Sequence, residues 1–154
     1  DDPERLVRIL VALHASAAEH ALPMILPLHP RTAAQVARLE SDGRWARSSD
    51  GWLRLIDPVG YLDMIALERN TRLVLTDSGG VQKEAYFFQK PCVVLRPETE
   101  WVELVETGQA RLVDADPVLL QEAVNDFLRN GAPHRPGLYG DGRAAARIVQ
   151  ALAR

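Results

Sequence analysis

The sequence is short of cysteine, of basic runs and of long apolar stretches, and each shortage removes a class of protein. Cys92 is the one cysteine, so no internal disulfide can form, and a reducing compartment, the cytoplasm, is the expectation. No segment approaches the roughly 20 apolar residues needed to cross a bilayer. The net charge of −3 carries no basic tract, which leaves nucleic acid without an electrostatic footprint. The histidines are scattered and Asp57 and Asp77 lack neighbours at ligand spacing, so neither a metal nor another cofactor is expected. Repeats and low-complexity tracts are missing too. Asp1-Asp2-Pro3-Glu4 reads as the start of an acidic helix rather than the basic leader of a signal peptide. A chain that opens there without Met is expected to be a piece of a longer protein. What is there, 154 residues at 47% hydrophobic and 25% charged, suits one soluble domain with a sizeable core.

Proline and glycine divide the chain into alternating helical and extended runs. Asp2-Pro3 opens a helix to about His20, with Leu6, Ile9, Leu10, Leu13 and Ala17 on one face. His14 and His20 read as surface residues. Pro23 to Leu28 is a buried strand, stopped by His29-Pro30. Thr32 is expected to cap the next helix, to about Glu40, and a polar loop covers 41–51. Trp52 to Ile56 is a strand, and Val59 to Met64 leads into a helix to about Asn70. Tyr61 and Met64 read most simply as core packing there. Pro91 to Leu95 is a further buried strand, which makes Cys92 a small buried hydrophobe rather than a nucleophile. Trp101 to Glu106 is a short helix stopped by Gly108, Ala110 to Val113 a strand, and Asp116-Pro117 opens another helix. After a Gly- and Pro-rich loop over 130–142, a final amphipathic helix runs from Arg143 to Arg154. The order predicts an α/β fold, a Rossmann-like parallel sheet flanked by helices.

The chain is organised around Arg72 to Glu84. Leu73-Val74-Leu75 reads as a buried parallel strand, stopped by Thr76-Asp77-Ser78-Gly79-Gly80, with a helix beyond. Two residues without Cβ let a ligand approach the backbone, and the first N–H groups of the helix then face an anion. Glu84, one turn in, can reach a hydroxyl beside that anion. One reading puts a nucleoside diphosphate on Ser78, Gly79 and Gly80 and a ribose on Glu84; the other is a plain turn with Ser78 as helix cap. Polar clusters also end three other strands, at His29 and Arg31, at Asp57 to Met64 and at Arg96 to Glu100. In a parallel sheet all lie along one edge, where ligands bind.

Thr76 to Ala85, Lys90-Pro91, Arg96, Thr99-Glu100, Glu103 and Gly108 resemble the non-hydrolysing UDP-N-acetylglucosamine 2-epimerases. Leu28 to Thr32, Tyr61-Leu62 and Asp141-Gly142 before Ala146-Arg147-Ile148 fit the same pattern. The resemblance implies the carboxyl-terminal half, residues 1–154, of a two-domain enzyme of GT-B type. Such enzymes invert C2 by eliminating UDP to a glycal and adding it back. It implies a diphosphate on Ser78, Gly79 and Gly80, ribose on Glu84, uracil along Val59 to Met64, and His29 and Arg31 in the cleft. The acid/base carboxylates and a diphosphate-contacting His would come from outside this chain. The partners implied are a UDP-sugar and the missing amino-terminal domain, without nucleic acid or membrane; homodimerisation is left open. Where many members read Thr-Glu-Arg-Pro-Glu, this chain reads Thr99-Glu100-Trp101-Val102-Glu103, so a nucleotide-contacting charge is replaced by Trp101, able to stack or pack. That departure resembles the branch acting on diacetamido-glucuronate sugars. Two other readings compete: the nucleotide-sugar domain of a retaining glycosyltransferase, and a non-catalytic receiver-like module, which would need acidic residues where Leu28-His29-Pro30 stands.

Overall fold

Aspartate–proline pairs start two of the long helices. Asp2 Oδ1 accepts from the N–H groups of Glu4 (2.9 Å) and Arg5 (3.2 Å) at the head of α1 (Pro3–Glu19). Asp116 Oδ1 does the same for Val118 (2.8 Å) and Leu119 (3.0 Å) at the head of α6 (Pro117–Asn130). The remaining elements are β1 (Met24–Pro27), α2 (Pro30–Ser41), β2 (Leu53–Ile56), α3 (Tyr61–Asn70), β3 (Val74–Thr76), α4 (Gly79–Phe87), β4 (Cys92–Val94), α5 (Val102–Glu106), β5 (Ala110–Leu112) and α7 (Ala144–Leu152). These come from a computed structural model that describes residues 2–153; Asp1 and Arg154, at the outer ends of the expected terminal helices, lie outside the described residues. The order of elements is the one the punctuation predicts. The cap of α2 is not. Pro30 takes the first helical position, so the helix begins three residues early, Thr32 falls inside it, and His29 Nδ1 accepts from Arg31 N–H at 3.3 Å.

Every strand pairing is parallel, but the ladder is interrupted. β1 pairs with β2, and β3, β4 and β5 form a second ladder in that order. β1 and β3 face each other across a cleft of about 830 Å³. Proline explains the gap. Met24 and Leu28 donate to Trp52 and Ile56 carbonyls (2.7 and 3.0 Å), so strand alternation turns residues 23, 25 and 27 to the other edge. Two of those three are Pro23 and Pro27, which have no N–H to offer β3. The expected α/β architecture therefore stands, with its parallel pairing split into two ladders.

β4 is covered on both faces, as a central parallel strand should be. Val93 points to a cluster with Leu13 of α1 and Leu120, Val124 and Phe127 of α6. Cys92 and Val94 point the other way, toward Ala85 and Tyr86 of α4, Leu104 of α5 and Ala110 of β5. Burial pushes the Cys92 thiol up to about 12, as expected of an inert small hydrophobe. Gly108, at a φ of +75°, takes the left-handed turn that ends α5.

His14, read as a surface residue, lies 2.7 Å from Asp50 Oδ2, and His20 Nε2 is 3.4 Å from Gln121 Nε2; both side chains stay partly exposed. Tyr61 is 70% exposed, not core, because α3 turns Met64 and Leu67 inward and leaves its first turn at the rim. The apolar side of α7 also stays open, with Leu152 82% exposed. The two ends of this burial range predict opposite outcomes. Phe127→Ala should cost about 3–5 kcal/mol in urea unfolding, whereas Leu152→Ala should stay within about 0.5 kcal/mol of the parent.

Candidate functional site

β3 hands over to α4 through a turn fixed from behind. Thr76 Oγ1, at the strand's buried end, accepts from Ser78 N–H at 3.0 Å. Ser78 then caps α4: its Oγ faces Val81 N–H at 3.5 Å, and its carbonyl takes Gln82 N–H at 3.2 Å. Of the four donors that the helix start leaves open, those of Ser78 and Val81 are thus engaged. The N–H groups of Gly79 and Gly80 meet no protein acceptor among the described residues. They stand where the helix dipole favours negative charge.

The two glycines differ. A Cβ on Gly79 would run into the Glu100 carboxylate and lie 3.4 Å from Trp101 Nε1. A Cβ on Gly80 would meet only Ser78 Oγ, at 3.7 Å, so the space above Gly80 is open. Trp101 Nε1–H donates to the Gly79 carbonyl at 2.8 Å, which anchors the first peptide of the helix. The segment following β4 forms the second wall. Thr99 Oγ1–H donates to Gln82 Oε1 at 2.6 Å and accepts from Trp101 N–H at 3.1 Å, while Arg96 pairs with Glu100 at 3.0 Å. Lys83 Nζ sits between two rings, 4.3 Å from the centroid of Trp101 and 4.4 Å from that of Tyr139. Tyr139 is held in turn by Tyr86, edge-on at 5.1 Å, whose hydroxyl donates to Arg135 carbonyl (2.8 Å) and accepts from Leu138 N–H (3.2 Å). The glycine-rich loop over 131–142 is thus pinned to α4.

Other predicted residues fall around this turn. Val59 and Met64 line the cleft between β1 and β3, whose lining also includes Thr76 and Val81, the two flanks of the Ser78–Gly80 turn. His29 and Arg31 lie exposed at the carboxyl end of β1, with His29 Nδ1 engaged by its own helix. Glu84 is half-buried and faces Glu68 of α3, which is 3% exposed. No donor reaches either Glu68 oxygen among the described residues. Two carboxylates offer only acceptors, so their contact becomes a hydrogen bond only when one is protonated. Burial first, and the nearby Glu84 second, push Glu68 up to about 7. Among the described residues no group of three His, Cys, Asp or Glu is placed to hold a metal ion.

Residues 1–153 match the sequence profile of the UDP-N-acetylglucosamine 2-epimerases. The chain belongs to this family. It is 46% identical over its whole length to a UDP-2,3-diacetamido-2,3-dideoxy-D-glucuronate 2-epimerase of Pseudomonas aeruginosa, of which it spans 41%. It is 35% identical over 152 residues to a UDP-N-acetylglucosamine 2-epimerase of Methanocaldococcus jannaschii, covering 99% of this chain and 41% of that one. A structure of a Methanocaldococcus jannaschii UDP-GlcNAc 2-epimerase in complex with UDP-GlcNAc and UDP superposes with a TM-score of 0.87, over 99% of this chain and 41% of that one. The chain thus spans about two fifths of the length of these relatives.

Membership in the epimerase family sets aside the glycosyltransferase and receiver readings. It also puts the Trp101 departure in context, because the structure supplies a cation beside that ring in Lys83. Sequence reasoning missed Lys83, Thr99 and Glu68. Glu68 alone had a signal: it lies one helical turn beyond Met64, a carboxyl group on an apolar stripe.

Two measurements check this geometry. Trp101→Phe removes the indole donor and should cost about 1 kcal/mol in denaturant unfolding. The second uses pH. Folded Glu68 keeps its proton to about 7 against an ordinary 4.5, so the native state binds more protons between those values. The contribution of Glu68 is then fully present below pH 4.5 and lost as pH rises through about 7, an effect on the order of 3 kcal/mol. Glu68→Gln should flatten that part of the stability curve and be more stable than the parent above it.

Proposed function

We propose that this chain is the UDP-sugar-binding, carboxyl-terminal half of a UDP-N-acetylglucosamine 2-epimerase or a close relative acting on another UDP-HexNAc. The observation that carries the reading is the pair of unengaged N–H groups at Gly79 and Gly80, at the mouth of α4 and under open space. A diphosphate there replaces solvent with two main-chain donors and the positive end of the helix. Glu84 takes the ribose hydroxyls, and Val59 to Met64 line the base, with the Met64 thioether against the ring face. Trp101 and Thr99 keep the turn in shape, while His29 and Arg31 border the sugar cleft. The substrate's C2 proton is removed and the anomeric C–O bond breaks, releasing UDP and leaving a glycal; UDP then re-forms its bond to C1 while a proton is delivered to the opposite face of C2, which gives the epimer. The acid and base for those steps belong to the other domain, so the isolated chain binds UDP weakly and does not turn over. The likeness to the Pseudomonas aeruginosa enzyme, at 46% identity, favours a diacetamido-uronate sugar. A cytoplasmic enzyme of polysaccharide biosynthesis, active with its amino-terminal domain and as a homodimer, fits the same reading.

Titration with UDP, followed by amide resonances, tests the site. The largest shifts should fall on Gly79 and Gly80; shifts confined to another surface, or none, would refute the assignment. Gly80→Ala separates binding from folding. Its Cβ enters open space, so unfolding should change by less than about 1 kcal/mol, while UDP affinity should fall about tenfold or more.

A further inference from the structure

We propose that Glu68 is a positioning residue: its carboxyl group, sealed beneath α3 and α4, shares one proton with Glu84 and so holds Glu84 ready for a ribose diol. The inference rests on the reading of Glu84 as the ribose-binding residue. Glu68 lies in the last turn of α3, 3% exposed, and Glu84 on α4, which faces it, is half-buried. Neither Glu68 oxygen has a donor, and no ion pair relieves it among the described residues. The groups that face it are the Glu84 carboxylate from α4 and the Cys92 thiol from β4, and His20, Asp63 and Arg72 share with it the lining of the cleft between β1 and β3. The thiol, held protonated by burial, carries no charge to offset it. Two acceptors in such a place are compatible only through a shared proton.

Burial decides which partner keeps that proton. Glu68 is sealed, so the charged form is disfavoured there and Glu68 is the donor. Glu84 then stays a carboxylate: one oxygen takes the Glu68 O–H, and the other is free for the two hydroxyls of a ribose. The proton fixes the Glu84 side chain and holds the pair at one negative charge. Loss of that proton leaves two carboxylates in contact, turns Glu84 away, and sets two negative charges beside a diphosphate. Ligand binding therefore favours the protonated pair, and affinity falls as pH rises through the pair's titration.

The probe is UDP-GlcNAc on the full-length protein, because its diphosphate, esterified at both ends, has no phosphate group that titrates near neutrality. Parent affinity should fall about fivefold or more between about pH 6 and about pH 8.5, with proton uptake seen as a buffer-dependent heat in calorimetry. E68Q, whose amide can donate to Glu84 but cannot titrate, should lose that slope. E68L, with no donor, should bind more weakly than E68Q at the acid end. The carboxyl carbon of Glu68, followed by NMR in the unliganded parent, should titrate near neutrality and needs no variant. A wild-type pH slope retained in E68Q, or a Glu68 carbon that titrates in the ordinary carboxylate range, would overturn the inference while leaving the nucleotide site intact. A parent protein that binds no UDP-GlcNAc at any pH would overturn the nucleotide reading and this inference with it.

Discussion

Two main-chain N–H groups without an intramolecular acceptor set the terms for the residues around them. A donor left unpaired in the interior costs about 1–3 kcal/mol, so Gly79 and Gly80 can stay open only because they face out of the sheet edge. The turn must then be held by everything except those two groups. Thr76 holds Ser78 from the strand side, Ser78 takes the next two donors, and Trp101 holds the Gly79 carbonyl from across the sheet. Gln82 and Thr99 tie the helix to the segment after β4. Each of these bonds uses a side chain or a carbonyl; none uses the N–H of Gly79 or Gly80.

The split between β1 and β3 extends the same logic to the neighbouring cleft. Had β1 offered N–H groups at positions 23 and 27, it could have closed a continuous ladder onto β3 and filled the space now lined by Met64 and Leu75. Proline at both positions denies β3 those bonds. The cleft borders the Ser78–Gly80 turn on both flanks, so a pocket able to take an apolar ring adjoins the donors able to take an anion. The backbone chemistry of one strand thereby shapes the neighbourhood of a turn two elements later.

Much of this was legible because it is local. Asp-Pro at residues 2–3 and 116–117, the Gly pair at 79–80 and Gly108 each declare an element boundary through the conformation they favour. The strand ends followed from those boundaries, and with them the edge where polar clusters collect. What stayed hidden depends on contacts between elements. The bond from Trp101 to Gly79 spans 22 residues, and the facing of Glu68 and Glu84 depends on how α3 lies against α4. Packing turns Met64, Leu67 and Glu68 of α3 inward. Tyr61 was misread for the same reason, since a weakly amphipathic helix leaves its inward face to be settled by tertiary contacts.

Trp101, where the family resemblance implies an Arg, stands beside a different cation, Lys83. A guanidinium binds a phosphate as a planar fork, with fixed geometry and two parallel bonds. An ammonium held between Trp101 and Tyr139 is a point charge whose position is set by the rings on either side. The rings are fixed independently, Trp101 through Gly79 and Tyr139 through Tyr86, so Lys83 gains a defined place with no ion pair of its own among the described residues. Glu100, beside the same turn, is engaged by Arg96. The positive charge thus stays on α4 itself, one turn beyond the open N–H groups, and moves with the helix that carries them.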